Sequence, residues 1–106
     1  MNLAILELLT ALTDGPAVAG DLLGQIERLR TGGKKPSVAS FYRNLNTVVS
    51  NHWVAIIGGE NGNGATGRPA QLYNLTDSGI EEMRREARRL RELTDIALSE
   101  VTGKAG

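Results

Sequence analysis

Gly67-Arg68-Pro69-Ala70-Gln71-Leu72-Tyr73-Asn74-Leu75-Thr76-Asp77-Ser78-Gly79 is the stretch on which the fold of this 106-residue chain turns. It leaves a glycine-rich segment that opens at Gly58, runs through a short strand from Ala70 to Leu75, and ends on Thr76-Asp77, residue types that cap a helix. Upstream, Trp53 leads into the apolar run Val54 to Ile57, which supplies a partner strand over 53–57. Two strands separated by a polar, glycine-rich tip predict a hairpin. Between Gly59 and Gly67 no large apolar side chain is present to pin that tip to a core.

Outside the hairpin the chain reads as helices. Leu3, Ala4, Ile5, Leu6, Leu8, Leu9, Ala11 and Leu12 make a first helix that is apolar nearly all round, which predicts burial on more than one side. Asp14-Gly15-Pro16 ends it with turn chemistry. A second helix is expected over 17–30, with Val18, Leu22, Leu23, Ile26 and Leu29 near helical spacing. The run from Thr31 to Pro36 breaks the chain, and Ser37 is a good N-cap for a third helix reaching about Asn51. Its apolar positions are Val38, Phe41, Leu45 and Val48, while Ser40, Arg43, Asn44 and Thr47 are expected on the opposite face. Thr76 caps a last helix in which Ile80, Met83, Ala87, Leu90, Thr94, Ala97 and Val101 follow a three-four repeat. A hairpin that follows one helix and feeds another is the wing of a winged helix-turn-helix. The predicted architecture is mostly α with a small β-hairpin. A winged helix-turn-helix DNA-binding domain spans 1–76 and a C-terminal dimerisation helix spans 77–106.

Charge is distributed unevenly. Lysine plus arginine balance aspartate plus glutamate over the whole chain, yet Arg28, Arg30, Lys34, Lys35, Arg43 and Arg68 face a single acid, Glu60, between 28 and 76. Such a segment suggests a patch that meets phosphate. The chain has no cysteine, so neither a disulfide nor a thiolate metal site is available. No apolar run has the length of a membrane span. Met1-Asn2-Leu3 carries no basic region, so a cytoplasmic protein without a signal peptide is expected.

Several constellations reduce to structural roles. Gly62-Asn63-Gly64-Ala65-Thr66-Gly67 matches a dinucleotide fingerprint, but that fingerprint needs a helix N-terminus after the turn, and here Arg68-Pro69 leads into a strand. His52 is the only histidine and sits where the third helix ends. The acids of the last helix alternate with Arg84, Arg85, Arg88, Arg89 and Arg91 as a solvated face. No cofactor, metal or catalytic set is expected, hence no enzyme. The face of the third helix is different. Arginine pairs with guanine, asparagine with adenine, and serine and threonine reach bases or phosphates. The candidate DNA-binding residues are Lys34, Lys35, Ser37, Ser40, Tyr42, Arg43, Asn44, Thr47 and Arg68.

The chain resembles the PadR-type winged-helix transcriptional regulators of the short form, with a single C-terminal helix. Gly67-Arg68-Pro69 with Tyr73-x-Leu75-Thr76-x-x-Gly79 fits that family's wing strand and helix cap, and Ser37-Val38-Ala39-Ser40-Phe41-Tyr42 is similar to the opening of its recognition helix. His52 stands where the family has a turn glycine, and Val18-Ala19-Gly20-Asp21 lacks the aromatic of the family's second helix. The resemblance implies a homodimeric repressor that reads a palindromic operator in double-stranded DNA. It also implies a small hydrophobic effector as a candidate partner. Leu6, Leu9, Ile80, Met83, Ala87, Leu90, Leu93 and Ala97 are the candidate dimerisation residues. A winged-helix dimer that binds another protein, without specific DNA binding, is the alternative reading.

Overall fold

Helix α1 (Leu3–Ala11) begins where Asn2 Oδ1 accepts a hydrogen bond from the Ile5 N–H at 2.8 Å. The computed structural model describes residues 1–30, 32–60, 70–101 and 103. Helix α2 (Ala19–Leu29) starts later than its apolar spacing predicts. Ala17 is diverted into a two-way backbone bridge with Tyr73, its N–H donating at 3.0 Å and its carbonyl accepting at 2.9 Å. Helix α3 (Val38–Ser50) is capped by Ser37 Oγ, which accepts from the Ser40 N–H at 3.3 Å. Strands β1 (Val54–Glu60) and β2 (Ala70–Leu75) form an antiparallel hairpin, and α4 (Asp77–Leu98) follows at once. The order of four helices and a late hairpin is that of a winged helix-turn-helix.

β1 runs to Glu60, beyond the expected end at Ile57, because its ladder absorbs an extra residue. Ile56 pairs with Tyr73 and Gly58 with Leu72, leaving Ile57 as a bulge. Gly58 takes the positive φ, 133°, that this irregularity requires.

The core lies where α1, α2, α3 and the hairpin base meet. Leu8, Leu9, Leu12, Leu22, Leu45, Val48 and Val54 are fully enclosed, with Ile26 and Phe41 beside them. Each large apolar side chain so buried contributes roughly 1.5–3 kcal/mol. The near-uniform apolarity of α1 is explained by this position, since it packs against α2, α3 and α4 together. Leu9, expected at a dimer contact, is corrected by the same fact: it has no exposed surface and belongs to the core of its own chain.

At the base of the hairpin a further joint ties it to α3 and α4. His52, in the turn after α3, has φ 62°, the left-handed region that suits a glycine. Its carbonyl accepts from Thr76 Oγ1 at 2.6 Å, while the Trp53 carbonyl accepts from the Thr76 N–H at 3.0 Å. Thr76 Oγ1 in turn accepts from the Gly79 N–H at 3.0 Å and so caps α4. Gly79 lies flat on this turn, and a Cβ there would stand 2.8 Å from the Trp53 carbonyl carbon and closer still to its oxygen.

Beyond its first turns α4 leaves the core. Met83 packs against it, and Glu86 bonds to Arg89 at 2.7 and 3.0 Å. The Arg89 hydrogen bond holds the Glu86 carboxyl below the usual carboxylate range, desolvation opposes it, and the Arg89 charge and the chain's amino terminus add to the lowering. From Arg91 onward every described residue is exposed.

Replacing Gly79 with alanine is expected to force α4 away from Trp53 and cost about 1–3 kcal/mol or more. Gly24→Ala, whose new methyl meets only an Arg28 side-chain atom at 3.8 Å, is expected to stabilise α2 by up to about 1 kcal/mol. Urea denaturation of the two variants should shift the midpoint in opposite directions.

Candidate nucleic-acid interface

α3 lies with Phe41, Leu45 and Val48 buried in the core, and this fixes which side chains point away from it. At about 100° per residue, the pole opposite those three carries Ala39, Arg43, Asn46 and Ser50, and all four are exposed. Ser40, Asn44 and Thr47 are only half-exposed and form one flank of that pole, while Tyr42 is exposed on the other. The expected face of Ser40, Arg43, Asn44 and Thr47 is therefore rotated from the true one, with Arg43 alone at its centre. Asn46 is an exposed residue of this pole that the sequence reading did not include.

Local bonds hold this surface in shape. Arg43 Nη2 donates to Ser40 Oγ at 3.0 Å, which lays the guanidinium back along the helix by one turn. Thr47 Oγ1 donates to the Arg43 carbonyl at 3.0 Å, so its hydroxyl is engaged by the backbone. Tyr42 stands edge-to-face on Phe41, ring centres 5.1 Å apart. Burial, and secondarily Tyr42, pushes the Tyr73 phenol above its ordinary range.

The basic segment divides on folding. Arg30 closes α2 and donates from Nε at 3.2 Å and from Nη2 at 3.0 Å to Glu7 on α1. With side-chain exposures of 26% and 16% this pair is partly sheltered, and it takes Arg30 out of the free positive charge. Lys34 and Lys35 stay exposed in the turn before α3, on the side from which the helix enters. Arg68, with the rest of 61–69, lies outside the described residues. Among the described residues no group of side chains could hold a metal ion, and no helix is long and apolar enough to cross a membrane.

No family model and no curated protein matches the sequence. Solved structures do match. A PadR family transcription regulator from Clostridium difficile superposes with a TM-score of 0.74 at 17% identity, covering 90% of this chain and 94% of that one. The fold is that of the PadR-type winged-helix regulators. A PadR family regulator from Eggerthella lenta gives a TM-score of 0.70 at 22% identity, over 88% of this chain and 76% of that one. Bacillus subtilis PadR, solved in complex with operator DNA, gives 0.63 at 15% identity. That match covers 99% of this chain but 53% of the Bacillus protein, so the present chain spans about half its length. The His52 position fits the PadR pattern in backbone terms, since the family's turn glycine falls where this chain needs a positive φ.

Glu7→Ala is expected to remove the tie between α1 and the end of α2 and to cost about 1.5–3 kcal/mol, the usual loss for a hydrogen-bonded charge. Thermal unfolding followed by circular dichroism would measure it. Amide shifts should change around Arg30 and Lys34, where the turn is released.

Proposed function

We propose that this chain is a PadR-family DNA-binding transcriptional regulator, working as a homodimer that represses by occupying a palindromic operator. Residues 1–76 form the DNA-binding unit, and the segment 77–106 carries the dimerisation helix, α4. The observation that carries the reading is the exposed pole of α3, where Arg43 and Asn46 lie clear of the core and Lys34 and Lys35 stand free at the helix entrance. Arg43 would pair with a guanine and Asn46 with an adenine, while Asn44, on the flank of the pole, would contact bases or backbone. Ser37, Ser40, Tyr42 and Thr47 would contact bases or backbone along the flanks. Lys34, Lys35 and Arg68 would contribute phosphate contacts that position the helix without reading sequence.

The dimer rests on the length of α4. A winged-helix core needs only its first turns, yet the helix continues to Leu98 with Leu93 54% and Ile96 67% exposed. Ile80, Met83, Ala87, Leu90, Leu93 and Ala97, together with Leu6 of α1, are the residues we assign to the interface. A second copy is a natural cover for such a stripe, and its two-fold axis would set two recognition helices on a symmetric site. A small hydrophobic effector would act by shifting this dimer between DNA-competent and incompetent arrangements.

The purified chain is expected to enrich a palindromic sequence from a random DNA pool. Arg43→Ala should weaken that site by about 1–3 kcal/mol and relax one base preference, whereas Lys34→Ala should weaken specific and random DNA alike and reduce the salt slope by about one. Equal losses on both kinds of DNA for Arg43→Ala would overturn the base-reading role. Failure of the wild-type chain to bind duplex at low salt would favour a protein-interaction module.

For the dimer, light scattering of the full chain at micromolar concentration should give twice the chain mass. Truncation after Arg91 should yield monomer or aggregate, and a folded monomer for the full chain would remove the dimer from this reading.

A further inference from the structure

The helix proposed to read DNA begins on an apolar surface that stays exposed. Val38 is the first residue of α3 and is 61% exposed, although Phe41, one turn later on the same side, is buried in the core. Ala39, next to it, is exposed on the outward pole with Arg43 and Asn46. Side chains of a helix tilt toward its N-terminus, so these two project ahead of the helix end. Lys34 and Lys35, both exposed, lie just before them in the turn. An isolated exposed valine is ordinary on a protein surface. Here the apolar pair stands at the end of a helix that, in helix-turn-helix docking, presents its N-terminal residues to base edges.

Neither side chain can donate or accept a hydrogen bond, and that restricts the base it can face. In the major groove guanine, adenine and cytosine present donors and acceptors. Packing Val38 or Ala39 against those groups would strip them of water and return no hydrogen bond. Thymine alone adds a methyl group, at C5, which an apolar side chain can cover without that cost.

We infer that Val38 and Ala39 read the C5-methyl group of a thymine in the operator half-site. The inference rests on the DNA-reading role proposed for α3 and adds a base that no polar residue of the helix specifies. Helix geometry gives its place. Arg43 Nη2 reaches back to Ser40 Oγ at 3.0 Å, toward the end of the helix that carries Ala39. Ala39 precedes Arg43 by about 6 Å along the axis, so the thymine falls within about two base pairs of the guanine that Arg43 reads.

The test separates the methyl group from everything else on the base. Replacing the thymines of the selected operator one at a time with deoxyuridine removes that methyl and leaves pairing and polar edges unchanged. At one position in each half-site the wild type is expected to bind about three- to fivefold more weakly, the effect of uncovering one methyl group. Exchanging that T·A pair for C·G should weaken binding at least as much, and 5-methylcytosine, which restores a methyl at the same place, should recover the factor. In the double variant Val38→Ser with Ala39→Gly, thymine and deoxyuridine operators should bind alike, while discrimination at the guanine read by Arg43 persists. Should circular dichroism show that the double variant is unfolded, Val38→Ser alone is expected to lose most of the thymine preference. Equal affinity of the wild type for thymine and deoxyuridine at every position would overturn the inference and leave the DNA-reading role standing. So would a thymine preference undiminished in the variants, since the methyl would then be read elsewhere. A change of assembly mass on Val38→Ser, seen by light scattering, would make this surface a contact between chains and overturn it too. A wild-type chain that binds no duplex would overturn the DNA-reading role itself, and this inference with it.

Discussion

The contact between Gly79 and the Trp53 carbonyl is the constraint on which the rest of the molecule depends. At that point the end of α3, the start of β1, the end of β2 and the start of α4 converge within a few residues. Thr76 holds them with three hydrogen bonds, through its N–H, its hydroxyl proton and its hydroxyl oxygen. A side chain at residue 79 would push the start of α4 off the Trp53 carbonyl and strain the two bonds by which Thr76 holds His52 and Trp53. The direction in which α4 leaves the core is therefore set by backbone packing against the turn that ends α3. A change in the tilt of α4 would be transmitted to α3 through main-chain atoms, which yield less than side chains do.

Most of the architecture was legible in the sequence because its signals are local. Ser37 and Thr76 are caps whose side chains bond the backbone three residues on, and both helices start where those residues predict. The strand from Ala70 to Leu75 matches its expected limits. The errors arose where tertiary contacts overrule local preference. Ala17 has good helix propensity but is claimed by Tyr73, far along the chain, and α2 starts late as a result. β1 outruns its apolar run because a bulge lets the pairing continue through Gly58 and Gly59.

The candidate site was legible in part. Polarity on one side of α3 was visible, but its angular centre was not, because the three-four spacing from Ser40 through Asn44 and Thr47 picks out one flank and leaves Asn46, on the other side of Arg43, out of the set. The charge count carried a similar limit. Six basic residues mark the segment from 28 to 76, yet Glu7, outside that segment, engages Arg30 after folding. A count along the chain registers where charge is encoded and cannot register which charge is consumed internally. The same ion pair has a structural use, since it anchors the end of α2 just before the turn that delivers Lys34 and Lys35.

The bulge at Ile57 has a consequence for how copies of this protein meet in concentrated solution. β2 is protected along its outer side by the bridge from Ala17, so β1 carries the open edge of the two-stranded sheet. That edge displays Ile56 and Ile57, 45% and 52% exposed, in a sequence favourable for strand pairing. A flat strand of this composition would be a template for edge-to-edge addition of other chains. The extra residue and the left-handed glycine after it break the regular alternation of donors and acceptors and turn the strand away from flatness. The irregularity in the wing thus acts as a guard against fibrillar self-association.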